Sequence, residues 1–137
     1  MSLHLEIVTP EQKIFSGAVT NVLLPGADGE MGILEGHAAL VSALEPGELR
    51  YEADGKIVTM AVGSGFAEVT QQRINVLTDM ALGENDIDEA KAESAMKRAE
   101  EQLAGMTHDG DAEEVAHLQA IIAKSLAQLN IKRRNRH

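Results

Sequence analysis

Hydrophobic positions along this chain follow two different rhythms. Up to about residue 82 they alternate over short runs punctuated by glycine. In "SLHLEIVT", Leu3, Leu5 and Ile7 alternate with His4 and Glu6, the period of a half-buried strand. "ELRYEADGKIVTMAV" reads as two strands joined by Asp54-Gly55, a pair that suits the positive φ angles of a two-residue hairpin turn. "FAEVTQQRINVL" repeats the scheme with a longer polar turn. Many short strands with frequent turn signals predict a small antiparallel sandwich or barrel.

From Asp86 onward the rhythm becomes helical. Asp86 and Glu89 have the spacing of a capping box, with aspartate in place of the usual Ser or Thr. Ala92, Ala95, Met96, Ala99, Leu103 and Met106 then form one apolar stripe, and Glu93 and Lys97 stand four apart on the polar side. Gly105 and "THDGD" end this helix. Asp111 and Glu114 repeat the cap, and Val115, Leu118, Ile121, Ile122, Leu126 and Leu129 form a second stripe. The prediction is a small sandwich or barrel of residues 1–85 followed by an antiparallel two-helix hairpin over 86–137. The first stripe is mostly alanine, and each missing methylene forgoes about 0.8 kcal/mol of burial. Such a hairpin suits either docking and undocking or permanent packing, and both readings stay open.

Composition narrows the chemistry. The chain has 137 residues, enough for one modest domain with an appendage, and only 2% aromatics, so its core is aliphatic. A net charge of −10 argues against nucleic acid as a partner. The exception is "IKRRNRH", with Lys132, Arg133, Arg134 and Arg136. With no cysteine, disulfides, thiolate metal sites and cysteine nucleophiles are excluded. The start carries no basic stretch followed by an apolar one, so no secretory signal is expected. No run approaches the roughly 20 apolar residues of a membrane span.

The stretch "PGADGEMGILEGH" poses the sharpest question. Gly26, Gly29 and Gly32 are followed by Ile33 and Leu34, whereas a phosphate loop needs Gly-Lys-Ser/Thr. Glu35 and His37 are too few for a closed metal site, and His4, His108, His117 and His137 show no complementary spacing. Asp28, Glu30 and Asp79 form no carboxylate pair that spacing can defend. "VGSGF" is not a nucleophile elbow, and its glycines read as a bulge or tight bend. No catalytic constellation survives, so no enzyme is expected. The glycines read instead as turns and close backbone approach at a recognition edge.

With both halves read, the chain resembles the epsilon subunit of the bacterial F-type ATP synthase over essentially its full length. The resemblance rests on "PGADGEMGILEGHAALVSALEPGELR", "AVGSGFAEV" and "NDIDEAKAESAMKRAEEQL". It implies a ten-stranded β-sandwich with a C-terminal helical hairpin. It also implies a noncatalytic rotor-stalk subunit that partners the gamma subunit and the c-subunit ring and helps couple proton flow to ATP synthesis. The expected location is peripheral, on the cytoplasmic side of the bacterial inner membrane, with no direct membrane insertion. The glycine-rich stretch resembles the ring-docking loop, with Glu30 at the acidic contact position and Met31, Gly32 and His37 beside it.

In this family the hairpin can extend toward the alpha and beta subunits and inhibit ATP hydrolysis, or pack on the sandwich, in some members around ATP. The family's Ile/Leu-Asp-x-x-Arg-Ala signature appears as Ile87-Asp88-Glu89-Ala90-Lys91-Ala92. Lysine at 91 lacks the planar fork of arginine. Arg98 matches another basic position, Lys124 and Gln128 align with two arginines, and Leu82 aligns with an acidic position. No cofactor is therefore required, and ATP is expected as a weak regulatory ligand. An alternative is a nucleotide-binding sensor built on the Asp88, Lys91 and Arg98 cluster. Lys132, Arg133, Arg134 and Arg136 read either as a frayed tail or as contacts to acidic loops of the catalytic subunits.

Overall fold

A computed structural model describes residues 3–34, 36, 38–106 and 111–134. Ten strands come first: β1 (Leu3–Val8), β2 (Lys13–Val19), β3 (Asn21–Gly26), β4 (Gly29–Leu34), β5 (Leu40–Leu44), β6 (Gly47–Ala53), β7 (Lys56–Val62), β8 (Gly65–Val69), β9 (Arg73–Thr78) and β10 (Ala81–Gly83). A 3-10 turn at Glu84–Asp86 leads into helices α1 (Glu89–Ala104) and α2 (Ala112–Arg134).

The strands pair in the order β10-β7-β6-β3-β5-β8-β9-β1-β2, with β4 added on β3. This curled sheet closes over one core, and its two arms meet where Phe15 of β2 stacks on Tyr51 of β6 with ring centroids 4.5 Å apart. The alternation seen in the sequence decides which side faces in. Leu3, Leu5 and Ile7 are fully buried, as are Val22, Leu24, Leu49, Ile74 and Val76. Asp54 (φ 53) and Gly55 (φ 76) make the two-residue turn between β6 and β7, with Ala53 opposite Lys56. One pairing departs from the antiparallel expectation: β1 runs parallel to β9, Leu5 beside Ile74 and Ile7 beside Val76. No short turn can impose that pairing, which joins strands nearly seventy positions apart.

The helical half also corrects the sequence reading. Asp86 lies in the 3-10 turn, and the following Ile87 is extended and buried. The cap of α1 is Asp88, whose Oδ1 accepts from the Lys91 amide at 3.0 Å. Ile87 must point into the protein before the chain can turn helical, which delays the cap by two residues. At α2, Asp111 Oδ1 accepts from the Glu113 amide at 2.9 Å. The α2 stripe is broader than its aliphatic residues suggest. Leu126 is 46% exposed, whereas Ser125, Ala127, Leu129 and Ile131 are buried. This helix packs on α1 along one side and on β6 and β7 along another, so two faces are covered rather than one.

Candidate functional site

Three surfaces hold the residues singled out above. The first is the β3–β4 hairpin, into which "PGADGEMGIL" folds. Pro25 pairs with Glu30 and Gly26 with Gly29, leaving Ala27 and Asp28 as the turn. Gly29 sits at φ +124, a conformation that side chains rarely adopt. The hairpin is tied to β5 by Ala27 N–H to the Ala43 carbonyl at 3.0 Å and Glu45 N–H to the Pro25 carbonyl at 2.9 Å. Alternation along β4 then sorts the named residues. Glu30 and Gly32 point outward with Leu34, whereas Met31 is half-buried and packs against the core. His37 and Glu35 lie outside the described residues.

The second surface surrounds the start of α1 and the facing turn of α2. Ile87 and Ala92 are buried and serve packing, and Asp88 spends an oxygen on its cap. Lys91 and Arg98 are exposed on α1. Lys124 reaches the sandwich, where its Nζ donates to Asp79 Oδ2 at 2.8 Å. Gln128 donates to the Lys124 carbonyl at 3.3 Å and lies 3.5 Å from the Met80 sulfur. Leu82, like Met80, packs beside a small buried cluster of Ala61, Ile87, Ala127 and Ile131.

The basic end of α2 is neither frayed nor idle. Lys132 Nζ donates to the Glu84 carbonyl at 3.0 Å. Arg133 reaches back to α1, with Nε on Glu89 at 3.1 Å and Nη2 on Glu93 at 2.8 Å. Arg134 forks onto Glu48 of β6, one arm at 3.3 Å and the other closer. The hydrogen bond to Glu48 raises the Arg134 pKa, with burial acting the other way and the carboxylate charge adding to the rise. Arg136 lies outside the described residues.

A fourth surface was missed in the sequence. Phe66 and Leu77 are 58% and 54% exposed, although neighbouring apolar residues of β8 and β9 are buried. The register lines up Ala43, Phe66, Leu77 and Val8 as one row across β5, β8, β9 and β1. A cleft of about 320 Å³ lined by Val8, Thr9, Pro10, Ser64, Leu77 and Asp79 adjoins this row. The signal was present: within "FAEVTQQRINVL", Phe66 and Leu77 fall out of phase with the inward set of Ala67, Val69, Ile74 and Val76. Apolar residues on the wet side of a sheet mark a surface meant to be covered.

Comparison with known proteins follows this geometry closely. The family model described as ATP synthase, Delta/Epsilon chain, beta-sandwich domain matches residues 2–84. The model described as ATP synthase, Delta/Epsilon chain, long alpha-helix domain matches residues 85–133. An ATP synthase epsilon chain of Lawsonia intracellularis is 44% identical over 108 residues, covering 79% of this chain and 81% of the relative. One from Nitratidesulfovibrio vulgaris is 40% identical over 131 residues, covering 96% of each. A chain of the Euglena gracilis mitochondrial ATP synthase, solved by cryo-EM as an OSCP/F1/c-ring assembly, superposes with a TM-score of 0.77 at 23% identity. That match covers 95% of this chain and 80% of the other, and at such identity it speaks for the fold.

Proposed function

Since the chain belongs to the family of bacterial F-type ATP synthase epsilon chains, we propose that it is a noncatalytic rotor subunit that couples proton flow to ATP synthesis. The observation that carries this reading is the outer row of exposed Ala43, Phe66 and Leu77 with half-buried Val8 at its end. An apolar row of this size on an outer sheet face is unfavourable in water and favourable against a stalk partner. It is our seat for the gamma subunit. The β3–β4 hairpin is our contact with the c ring, with Glu30 as the acceptor for basic or amide groups on that ring. Its outward Glu30 and Gly32 support that role, while Met31 supports the hairpin from inside.

The helical hairpin is the regulatory part, restraining ATP hydrolysis when it leaves the sandwich for the alpha and beta subunits. ATP is at most a weak ligand in this reading, because Lys124 already pairs with Asp79 and Gln128 carries no charge. No helix among the described residues is long and apolar enough to cross a membrane. Peripheral attachment on the cytoplasmic side, through the stalk and ring, follows from the same proposal.

Reconstitution tests it. The full chain and a Phe66→Asp/Leu77→Asp variant are added to synthase depleted of this subunit, and retention and proton-driven ATP synthesis are measured. The variant should fail to bind, whereas Glu30→Lys should bind and support less synthesis. Retention of the double variant at the wild-type level would remove the apolar row from the assembly.

A further inference from the structure

The docked hairpin rests on the sandwich through a narrow seam. α1 packs chiefly on α2, and α2 makes the main contacts with β6, β7 and the 3-10 turn. The apolar part of this seam is a small cluster of Ala61, Ile87, Ala127 and Ile131, with Met80 and Leu82 beside it, separate from the sandwich core. Two of its four buried members are alanines, which contribute little area each.

Charged groups bracket that seam. Lys124 meets Asp79 of the β9–β10 turn, and Arg134 meets Glu48 of β6. Ten residues separate the two cations on α2, a span of about 15 Å along the axis. Between them Lys132 holds the Glu84 carbonyl of the linker. Arg133 serves differently, since its partners Glu89 and Glu93 belong to α1 and move with the hairpin.

We propose that Lys124, Lys132 and Arg134 form an electrostatic clasp that holds the hairpin on the sandwich and makes its docking sensitive to ionic strength. The three cations sit on one helix, and every partner sits on the sandwich or the linker, so all three contacts break together when α2 lifts. The side chains in the two ion pairs are between 23% and 48% exposed, so salt reaches them. Each partly exposed pair multiplies a docked population by only about two- to fivefold. Acting together across a small apolar seam, the three contacts decide the balance, and the Debye length of about 10 Å at 0.1 M falls to about 3 Å at 1 M salt. The clasp rests on the docked geometry alone and does not depend on the assembly role.

The chain has no cysteine, so one introduced thiol reports opening in the isolated full-length protein. Ala127→Cys places it in the seam, Ile131→Cys gives a second seam reporter, and Ala67→Cys reports unfolding of the sandwich core. Labelling with neutral iodoacetamide is followed as NaCl rises from about 50 mM to about 500 mM, where the Debye length shortens about threefold. Seam labelling should accelerate about tenfold or more while the Ala67→Cys rate stays flat. At low salt Glu48→Gln or Asp79→Asn should accelerate seam labelling about two- to fivefold and reduce its salt response. The clasp is overturned if both seam thiols react at rates indifferent to salt and to these variants. It is equally overturned if the seam and core thiols respond in parallel.

Discussion

Phe66 and Leu77 stand directly opposite each other across β8 and β9 with more than half of each side chain in water. Cross-strand neighbours of this kind stabilise a sheet modestly, by about 0.2–1 kcal/mol relative to alanines. Their value lies outside the isolated fold. Phe66→Ser/Leu77→Ser should lower the unfolding free energy by no more than about 1 kcal/mol, with retention in the reconstituted synthase lost. Urea titration beside the retention assay separates these effects, and a large drop in stability would return the pair to a structural role.

Gly65 and Gly63 flank Ser64 at the bend between β7 and β8, and they differ in what crowds them. A Cβ at Gly65 would collide with the Leu77 carbonyl and lie 2.9 Å from the Thr78 Cα, both backbone. At Gly63 the obstacles are the Asp79 carboxylate and the end of Lys124, which can move. Gly65→Ala should therefore cost about 1–3 kcal/mol or more of sandwich stability by overpacking. Gly63→Ala should cost less and act mainly by breaking the Asp79–Lys124 pair. Chemical denaturation of both variants checks the order.

Asp88, not Asp86, caps α1. Asp88→Ala should reduce the stability of the helical half by about 1 kcal/mol, and Asp86→Ala should leave it nearly unchanged. Circular dichroism during thermal unfolding reads both, and equal losses would reassign the cap.

Tyr51 is the only tyrosine of the chain. Burial raises its phenol above the ordinary value of 10.0. The folded protein thus holds this proton more tightly than the unfolded chain. Its contribution to stability is complete below about pH 10 and declines as pH rises through the folded value. Ultraviolet titration of the phenolate should give a native midpoint above that of the denatured chain. Tyr51→Phe should flatten the alkaline fall of the urea midpoint.

Calorimetry with ATP on the isolated chain should give a dissociation constant near or weaker than about 1 mM, some −4 kcal/mol. Asp79→Ala releases Lys124 and should strengthen the signal if the cation then meets phosphate. Micromolar binding by the unaltered chain would instead favour a nucleotide sensor.

Much of the fold was legible because it depends on local periods. The two-residue alternation of Leu3, Leu5 and Ile7 needs only to know which side avoids water. The turn at Asp54-Gly55 needs only positive φ, and the α1 stripe at Ala92 and Ala99 needs only helical spacing. The resemblance of Pro25–Arg50 to the epsilon subunit likewise lies in the order of residues alone.

Tertiary structure decided which distant groups meet. Only the parallel pairing of β1 with β9 places Val8 in register with Leu77 and completes the outer apolar row. Only the seat of α2 on β6 and β7 turns Arg134 toward Glu48 and Lys124 toward Asp79, and leaves Leu126 in water while burying Ser125. The elements follow from neighbours a few residues apart, so local order along the chain specifies them. The meeting of elements depends on chain closure over dozens of residues, and there the whole folded surface chooses each partner.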